Sequence, residues 1–550
     1  MNGAQALLRT LIDAGVTTCF TNPGTSEMHF VAALDSAPEM RAVLTLFEGV
    51  ATGAACGYSR MADKPAATLL HLGCGLGNGL ANLHNARKGR VPVINIVGDH
   101  ATTHVGYDAP LQSDIETVAR NVSTWVRTSK SAQDLSRDAV DAIAAATGPS
   151  RGVATLILPA DVSWSDGAQP MSRHPFVMAP VAANETIAAI AGALSGGGKT
   201  ALLLGGRALR EPALLAASRI AQATGAALYA EVFPTRLERG AGLPAVERIA
   251  YFAEMASVQL AGLDHLILVD AKAPVSFFAY PEKKSYLVPD GCQLHELASC
   301  TQDALGSLEA LVDQLGAREV KPLLQEPAAV ARPSGTLTTD KACQAIAAVL
   351  PASAIISDEA QTSGSKLASL TARAPRHDLL TLTGGAIGQG LPVAVGAALA
   401  CPDRPVFALV GDGSAMYTIQ ALWTMAREQL NVTTVIFNNR SYAILNIELQ
   451  RVGAEGAGEA AKTQLDLSTP ALDFVAIGHG MGVPSVRVES CEALNAALDR
   501  AITEPGPHLI EAIVPSAFSG WKLKALPHVM NALGKIPQPM AKALKRKIAP

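Results

Sequence analysis

The sequence predicts an α/β protein built from three doubly wound parallel-sheet units, and three observations lead there. Short β-branched runs alternate with amphipathic or small-residue segments along nearly the whole chain. Two polar, proline-containing stretches interrupt that alternation, and 550 residues are too many for one core. Residues 406–441 read as strand, Gly-Asp-Gly turn, helix and strand, which is one parallel βαβ unit. The expected layout is an N-terminal unit over 1–165, a linker over 166–185, a central unit over 186–318, a linker over 319–335, a C-terminal unit over 336–530, and a basic tail over 531–550.

The N-terminal unit begins with an amphipathic helix over 4–14 and a strand over 17–20. The turn Asn22-Pro23-Gly24-Thr25-Ser26-Glu27 follows, with further strands expected at 42–47, 67–71, 93–97 and 154–158. Glu48 ends the run AVLTLF and precedes GVATGAACGYSRMA, a helix whose small residues call for a close neighbour. In so apolar a setting a carboxyl holds its proton more tightly; a glutamate simply favoured at a helix start by the dipole is the plainer reading. His71 is expected at a strand end, before the glycine-rich turn LGCGLGNG, where it is either structural or a proton carrier. The glycines make no dinucleotide fingerprint, since no acidic residue ends a strand about 20 positions on.

In the central unit, strands are expected at 200–204, 227–231 and 265–269. Gly205-Gly206-Arg207 follows the first but is not GxGxxG, and nothing commits this unit to a nucleotide. The C-terminal unit has expected strands at 354–357, 406–410, 433–437 and 508–512, with loops at 358–362 and 384–390. A crossover helix is read from Ile419, Leu422, Trp423, Met425 and Leu430. It returns the chain to the same edge, so that Asp412 and Asn439 leave the carboxyl ends of parallel strands, where open α/β sheets bind ligands. A carboxylate and an amide oxygen are hard donors of the kind Mg2+ uses when it also keeps phosphate oxygens. Gly411 and Gly413 let the backbone approach closely, and a helix start offers N–H groups to phosphate.

Net charge is −4 (44 − 48), which gives no electrostatic case for nucleic acid or an acidic membrane. The eight cysteines form no CxxC pair and no His-linked metal spacing, as in a reduced, cytoplasmic protein. The N-terminus lacks a basic n-region, and no apolar run approaches the roughly 18 residues that a membrane span needs. The tail residues Lys542, Lys545, Arg546 and Lys547 read as a solvated surface.

The interval of 27 residues from Asp412 to Asn439 (439 − 412), with GDG at one end and NN at the other, resembles the thiamin diphosphate signature. Over essentially its whole length the chain resembles the thiamin diphosphate-dependent 2-oxo acid decarboxylase and acetohydroxyacid synthase superfamily, with pyrimidine-binding, middle and diphosphate-binding domains in that order. The NPGTSE turn, the glycine stretch after His71 and GDGSAMYTIQALWT are similar to segments of benzoylformate decarboxylases. The resemblance implies thiamin diphosphate and Mg2+ as cofactors and gives no indication of FAD. It implies small 2-oxo acid and aldehyde substrates and a homo-oligomer with a dimer as its minimal active unit, commonly a tetramer. By it, Glu48 would bond N1′ of the aminopyrimidine, the Gly385 carbonyl would accept from the 4′-amino group, and Ile387 would hold the cofactor bent. Asp412, Asn439 and the Ser441 carbonyl would bind the metal. Thr362, Gly411, Gly413 and Ser414 would cradle the diphosphate, and Tyr442 would help close the site. Thr25, His71, Gln112, Ala279, Ile444 and Leu445 would line the substrate pocket, with Thr25, Glu48 and His71 catalytic.

The departures bear on the substrate. Ala279 stands where the aryl-accepting enzymes carry a second histidine, and Leu445 where pyruvate decarboxylases carry an acid. No HH pair is present, the nearest approach being His100 and His104. Proton delivery then rests on His71, which favours carboligation over release of the decarboxylated product. Ile444 and Glu448 replace a small and an aromatic residue of the aryl pocket, so pyruvate or short aliphatic 2-oxo acids are expected. The alternative is a benzoylformate decarboxylase.

Overall fold

The structure, a computed structural model, describes residues 1–175, 177–280, 283–454, 458–516, 528–529 and 540–541. Its strands segregate into three sheets. The first contains β1 (Thr18–Asn22), β2 (Arg41–Leu44), β3 (Ala66–Leu70), β4 (Val93–Asp99), β5 (Trp125–Thr128) and β6 (Val153–Pro159), in the order β2-β1-β3-β4-β6-β5 and all parallel. Between β7 (Thr200–Leu204) and β12 (Gln293–Ala298) the chain also forms β8 (Ala227–Ala230), β9 (Leu237–Arg239), β10 (Glu247–Arg248) and β11 (His265–Val269). Five of these make the second sheet, β10-β8-β7-β11-β12. β9 instead pairs antiparallel with β14 (His377–Thr381) of the third sheet. That sheet also holds β13 (Ala354–Glu359), β15 (Val406–Gly411), β16 (Val432–Asn438), β17 (Ser485–Val488) and β18 (His508–Ile513), in the order β17-β18-β16-β15-β13-β14-β9. These are the parallel-dominated α/β sheets that the alternation predicts. Strands such as β3 and β7, buried at every residue, carry the continuous apolar runs of sheets covered on both faces.

The expected β2 over 42–47 stops at Leu44, and Glu48 opens the helix Glu48–Ala62. The segment after His71, read as a turn, is the helix Leu72–Lys88. Gly73, Gly75 and Gly79 serve packing there: a Cβ on Gly75 would lie 3.0 Å from Glu48 Oε1. The crossover helix read through 419–430 is the shorter helix Ala421–Arg427, and a separate four-residue helix, Asp412–Ala415, precedes it. The half-exposed β5 and the edge strands β12 and β17 carry too few buried apolar residues for their alternation to have shown in the sequence. The basic tail lies outside the described residues, save Met540 and Ala541. Among the described residues no helix is long and apolar enough to cross a membrane.

The first and third sheets meet through the helix Glu48–Ala62 and the helix Gly390–Ala400, both buried along nearly their whole length. The two backbones touch: a Cβ on Gly396 would lie 1.9 Å from the carbonyl of Ala54. Arg236, from the central stretch, locks this junction. Its Nε donates to Asp378 at 2.5 Å, Nη1 to the carbonyl of Arg60 at 3.2 Å and Nη2 to Glu238 at 3.1 Å. Arg60 in turn donates to the Thr381 carbonyl and the Thr383 hydroxyl, both at 2.9 Å, which fixes the end of β14 where the 384–390 loop begins.

Candidate active site

Because β1 lies between β2 and β3, their carboxyl ends bring together the NPGTSE turn, Glu48 and His71. His71 precedes the helix Leu72–Lys88, and its Nδ1 lies 2.8 Å from Oε2 of Glu27, whose side chain is fully buried. Ser26 donates to the other oxygen of Glu27, and the Gly24 N–H donates to Oε2 at 2.7 Å. With Nδ1 held by a carboxylate, Nε2 is the imidazole atom left for proton exchange. Glu48 is 9% exposed, and its Oε2 accepts from Asn78 Nδ2 at 3.0 Å, so its surroundings are not purely apolar. Thr25 is exposed beside this group. Gln112 enters the neighbourhood through Ser113, whose Oγ lies 2.0 Å from where a Cβ on Gly73 would stand. Gln112 Oε1 and Ser113 Oγ are both buried without a hydrogen-bond partner.

The second group gathers at the carboxyl ends of β13, β14, β15 and β16. Asp412, at the start of its helix, is 3% exposed; Oδ1 accepts from Gly413 N at 2.8 Å and Oδ2 from Arg440 N at 2.6 Å. Burial pushes its carboxyl up from the usual range, against those N–H groups, and no lysine or arginine side chain pairs with it among the described residues. Asn439 Oδ1 accepts from Ser441 N at 2.9 Å, in a turn where Arg440 has φ 57°. The Ser441 carbonyl accepts from Ala443 N at 2.8 Å and keeps a second lone pair. A buried carboxylate without a cation, next to an amide and a carbonyl oxygen, is a donor set that suits a hard divalent ion. Gly413 lies under the ring of Tyr442, where a Cβ would meet Cε1 at 2.3 Å; Ser414 and Thr362 are buried nearby.

The loop after β14 carries Gly385 (φ 80°) and the partly buried Ile387. A residue missed in the sequence holds it. Glu359, 2% exposed at the end of β13, accepts through Oε1 from Gly388 N at 2.7 Å and Gln389 N at 3.3 Å, and through Oε2 from Gly390 N at 2.6 Å. Burial pushes its carboxyl up to about 7. From the N-terminal unit, Asn85 donates to the Ala386 carbonyl at 2.8 Å and Asn82 to the Gly388 carbonyl at 3.1 Å. Glu27 was also missed as a functional group, although a carboxylate three residues after a turn glycine is the spacing of a cap.

Ala279 is exposed in the loop before β12, two residues after Phe277, whose Cε1 lies 3.3 Å from where a Cβ on Gly385 would stand. Ile444 is partly buried and Leu445 is 44% exposed, both on the helix Ala443–Arg451. Among the described residues no hydrogen bond or ion pair joins Glu27, Glu48 or His71 to Asp412, Asn439 or Ser441. In the central sheet the N–H groups of Gly206 and Arg207 already bond Glu231 (3.0 Å) and Asp270 (2.8 Å), and Arg90 pairs with Asp270 at 2.5 Å.

Residues 1–120 match the family model described as thiamine pyrophosphate enzyme, N-terminal TPP binding domain, and 361–512 the corresponding C-terminal TPP binding domain. The chain is 58% identical over 520 residues, 94% of its length and 99% of the relative's, to the Mycobacterium tuberculosis (strain ATCC 25618 / H37Rv) protein named "Putative acetolactate synthase large subunit IlvX". It is 29% identical over 538 residues, 90% of this chain and 96% of the relative, to benzoylformate decarboxylase of Pseudomonas aeruginosa. Among solved structures it is similar to the Rhodococcus jostii RHA1 thiamine diphosphate-dependent 4-hydroxybenzoylformate decarboxylase, with TM-score 0.82 and 25% identity, covering 94% of this chain and all of that one.

Proposed function

From the premise that this chain belongs to the thiamine pyrophosphate-dependent enzymes of the acetolactate synthase and benzoylformate decarboxylase kind, we propose that it decarboxylates small aliphatic 2-oxo acids such as pyruvate. In this reading it also joins the resulting acyl unit to a second carbonyl compound, giving 2-hydroxyketones or acetolactate-type products. Once bound, thiamin diphosphate supplies the electron sink that loss of CO2 from a 2-oxo acid requires. The protein's part is to bind, orient and move protons. Asp412, Asn439 and the Ser441 carbonyl hold Mg2+, and the uncompensated charge of Asp412 is offset by the ion. The backbone at Gly411, Gly413 and Ser414, with Thr362, receives the diphosphate, and Tyr442 closes over Gly413. Ile387 and the Gly385 carbonyl orient the aminopyrimidine, and Glu48 holds a proton at its ring nitrogen. Nε2 of His71, with Nδ1 anchored on Glu27, carries the proton at the substrate oxygen; Thr25 and Gln112 supply polar contacts beside it.

The observation that carries the small-substrate reading is the helix Ala443–Arg451. It carries Ile444 and, one turn later, Glu448 paired with Arg451 at 3.1 Å, so that a branched side chain and an ion pair share one helix face where the aryl-accepting relatives would need a small residue and an aromatic one. Aryl 2-oxo acid decarboxylation is the second reading, favoured by the likeness to the two aryl decarboxylases and by Tyr251 and Phe277 near Gly385. The resemblance supports a second copy completing the site, with a dimer as the minimal active unit.

The test is a carbon-13 NMR time course of labelled pyruvate, and separately of phenylglyoxylate, with the purified protein, thiamin diphosphate and Mg2+. Consumption of pyruvate with formation of a new carbon–carbon bond is expected. Benzaldehyde from phenylglyoxylate with pyruvate untouched would replace the first reading by the second.

A further inference from the structure

Behind the turn that carries Asn439 and Ser441 lies a carboxylate that takes no part in binding or proton transfer. Glu511, 0% exposed, sits on β18 between β16 and β17. Its Oε1 accepts from Asn438 Nδ2 at 2.7 Å and its Oε2 from Arg487 Nε at 2.8 Å. Arg487 stands directly across from it on β17, its side chain 42% exposed, and donates from Nη2 to Asp473 at 3.0 Å. A charged carboxylate only accepts, so the amide nitrogen of Asn438 faces Glu511 and Oδ1 is turned the other way. There Oδ1 accepts from Arg440 N at 3.2 Å, the same N–H that donates to Asp412 Oδ2 at 2.6 Å. Arg440, the left-handed residue at φ 57°, stands between Asn439 and Ser441. One peptide N–H thus ties Asp412 to the turn that supplies the other two oxygens, and Glu511 fixes the amide that shares it.

We infer that Glu511 is a positioning residue for the metal turn: through Asn438 it holds Arg440 N–H, and with it Asp412, Asn439 and the Ser441 carbonyl, in the arrangement that suits a divalent cation. The inference rests on the metal site proposed above. An ion pair between two neighbouring strands would need only the oxygen on Arg487; the second oxygen, spent in the interior on Asn438, is what the pair alone leaves unexplained. Glu511→Gln offers one acceptor where the carboxylate offers two. If that oxygen stays on Arg487, the new NH2 meets Asn438 Nδ2, donor against donor. The Asn438 amide then turns over, and its own NH2 meets Arg440 N–H. The turn loses its anchor although Asp412, Asn439 and Ser441 are untouched. Groups that orient metal ligands in this way typically set the affinity for the ion by roughly 10- to 100-fold.

The experiment titrates Mn2+, followed by the electron paramagnetic resonance of the free ion, into full-length protein stripped of metal and held in saturating thiamin diphosphate. Glu511→Gln should bind Mn2+ roughly 10- to 100-fold more weakly than wild type. When Arg487→Met is added to Glu511→Gln, the amide oxygen has no surface cation to serve and can face Asn438, so the affinity should return most of the way to the wild-type value. A merely structural ion pair predicts the opposite order, because the double variant removes more of it. Unchanged Mn2+ affinity in Glu511→Gln, or a loss that the double variant does not recover, overturns the inference. Where Glu511→Gln fails to fold, Asn438→Ala removes the shared acceptor and leaves all three metal-binding residues in place. It should weaken Mn2+ binding likewise, and wild-type affinity in it also overturns the inference. Asp412→Ala is the reference. Affinity retained in Asp412→Ala would defeat the metal site itself, and the inference with it; affinity lost there but kept in Glu511→Gln defeats the role of Glu511 alone.

Discussion

Replacing Glu359 by glutamine should change how the stability of the fold depends on pH, by an amount the structure fixes. Glu359 titrates at about 7 in the folded chain, against 4.5 unperturbed, because burial outweighs the three backbone N–H groups that favour its charge. Between those values the folded state holds a proton that the unfolded state has released. The stability this residue contributes is therefore complete below the unfolded pKa and is lost as the pH rises through 7. Integrated from pH 5 to pH 8, the loss is about 2.5 kcal/mol. Glu359→Gln has no proton to lose and keeps one acceptor oxygen for the 388–390 loop. The assay is equilibrium urea unfolding of both proteins at pH 5, 6, 7 and 8, reading the difference between them, which cancels every other titrating group. The variant's deficit should be largest at pH 5 and shrink steadily toward pH 8. Curves that stay parallel within about 0.5 kcal/mol would refute the reasoning that Glu359 is buried and protonated in the loop.

Three further outcomes follow from the site. Glu48→Gln should lower kcat by roughly 100- to 10,000-fold, the range of a lost proton-transfer group, while calorimetric titration shows thiamin diphosphate binding retained. Gly413→Ala places a methyl 2.3 Å from Tyr442 Cε1. It should cost about 1–3 kcal/mol in stability and weaken cofactor binding in the same titration; unchanged affinity would remove Gly413 from the diphosphate cradle. Glu27→Gln unpins His71 Nδ1 and should reduce kcat by up to roughly 100-fold with KM little changed, alongside an altered pH–rate profile. A fall in thermal stability without those kinetic changes would make the pair merely structural.

What the sequence made legible was chemistry repeated at short range. Asp412 and Asn439 could be brought together on paper because one βαβ unit separates them and the handedness of its crossover is fixed. Glu48 and His71 were each visible as a polar residue ending an apolar run, but their adjacency was not. It depends on β1 pairing with both β2 and β3, a matter of sheet order that no local pattern encodes. The glycines after His71 misled for a related reason: taken locally they favour a turn, whereas their use is to let a helix lie against Glu48.

Glu359 and Glu448 show the same limit more sharply. Glu359 sits in an unremarkable Asp-Glu pair, and the N–H groups it binds lie 29 to 31 residues away, past the whole of β14. Glu448 and Arg451 form an i, i+3 pair that reads in sequence as a solvated surface bridge, worth little. The structure adds Glu254, 197 residues distant from Arg451, and Tyr280, 168 residues distant from Glu448, which leave the Arg451 side chain 8% exposed. Judged from the helix spacing alone, a substitution at Glu448 would be expected to cost little stability. Judged from its partners it takes a carboxylate away from a guanidinium that is 8% exposed, and so it should lower the stability of the chain measurably.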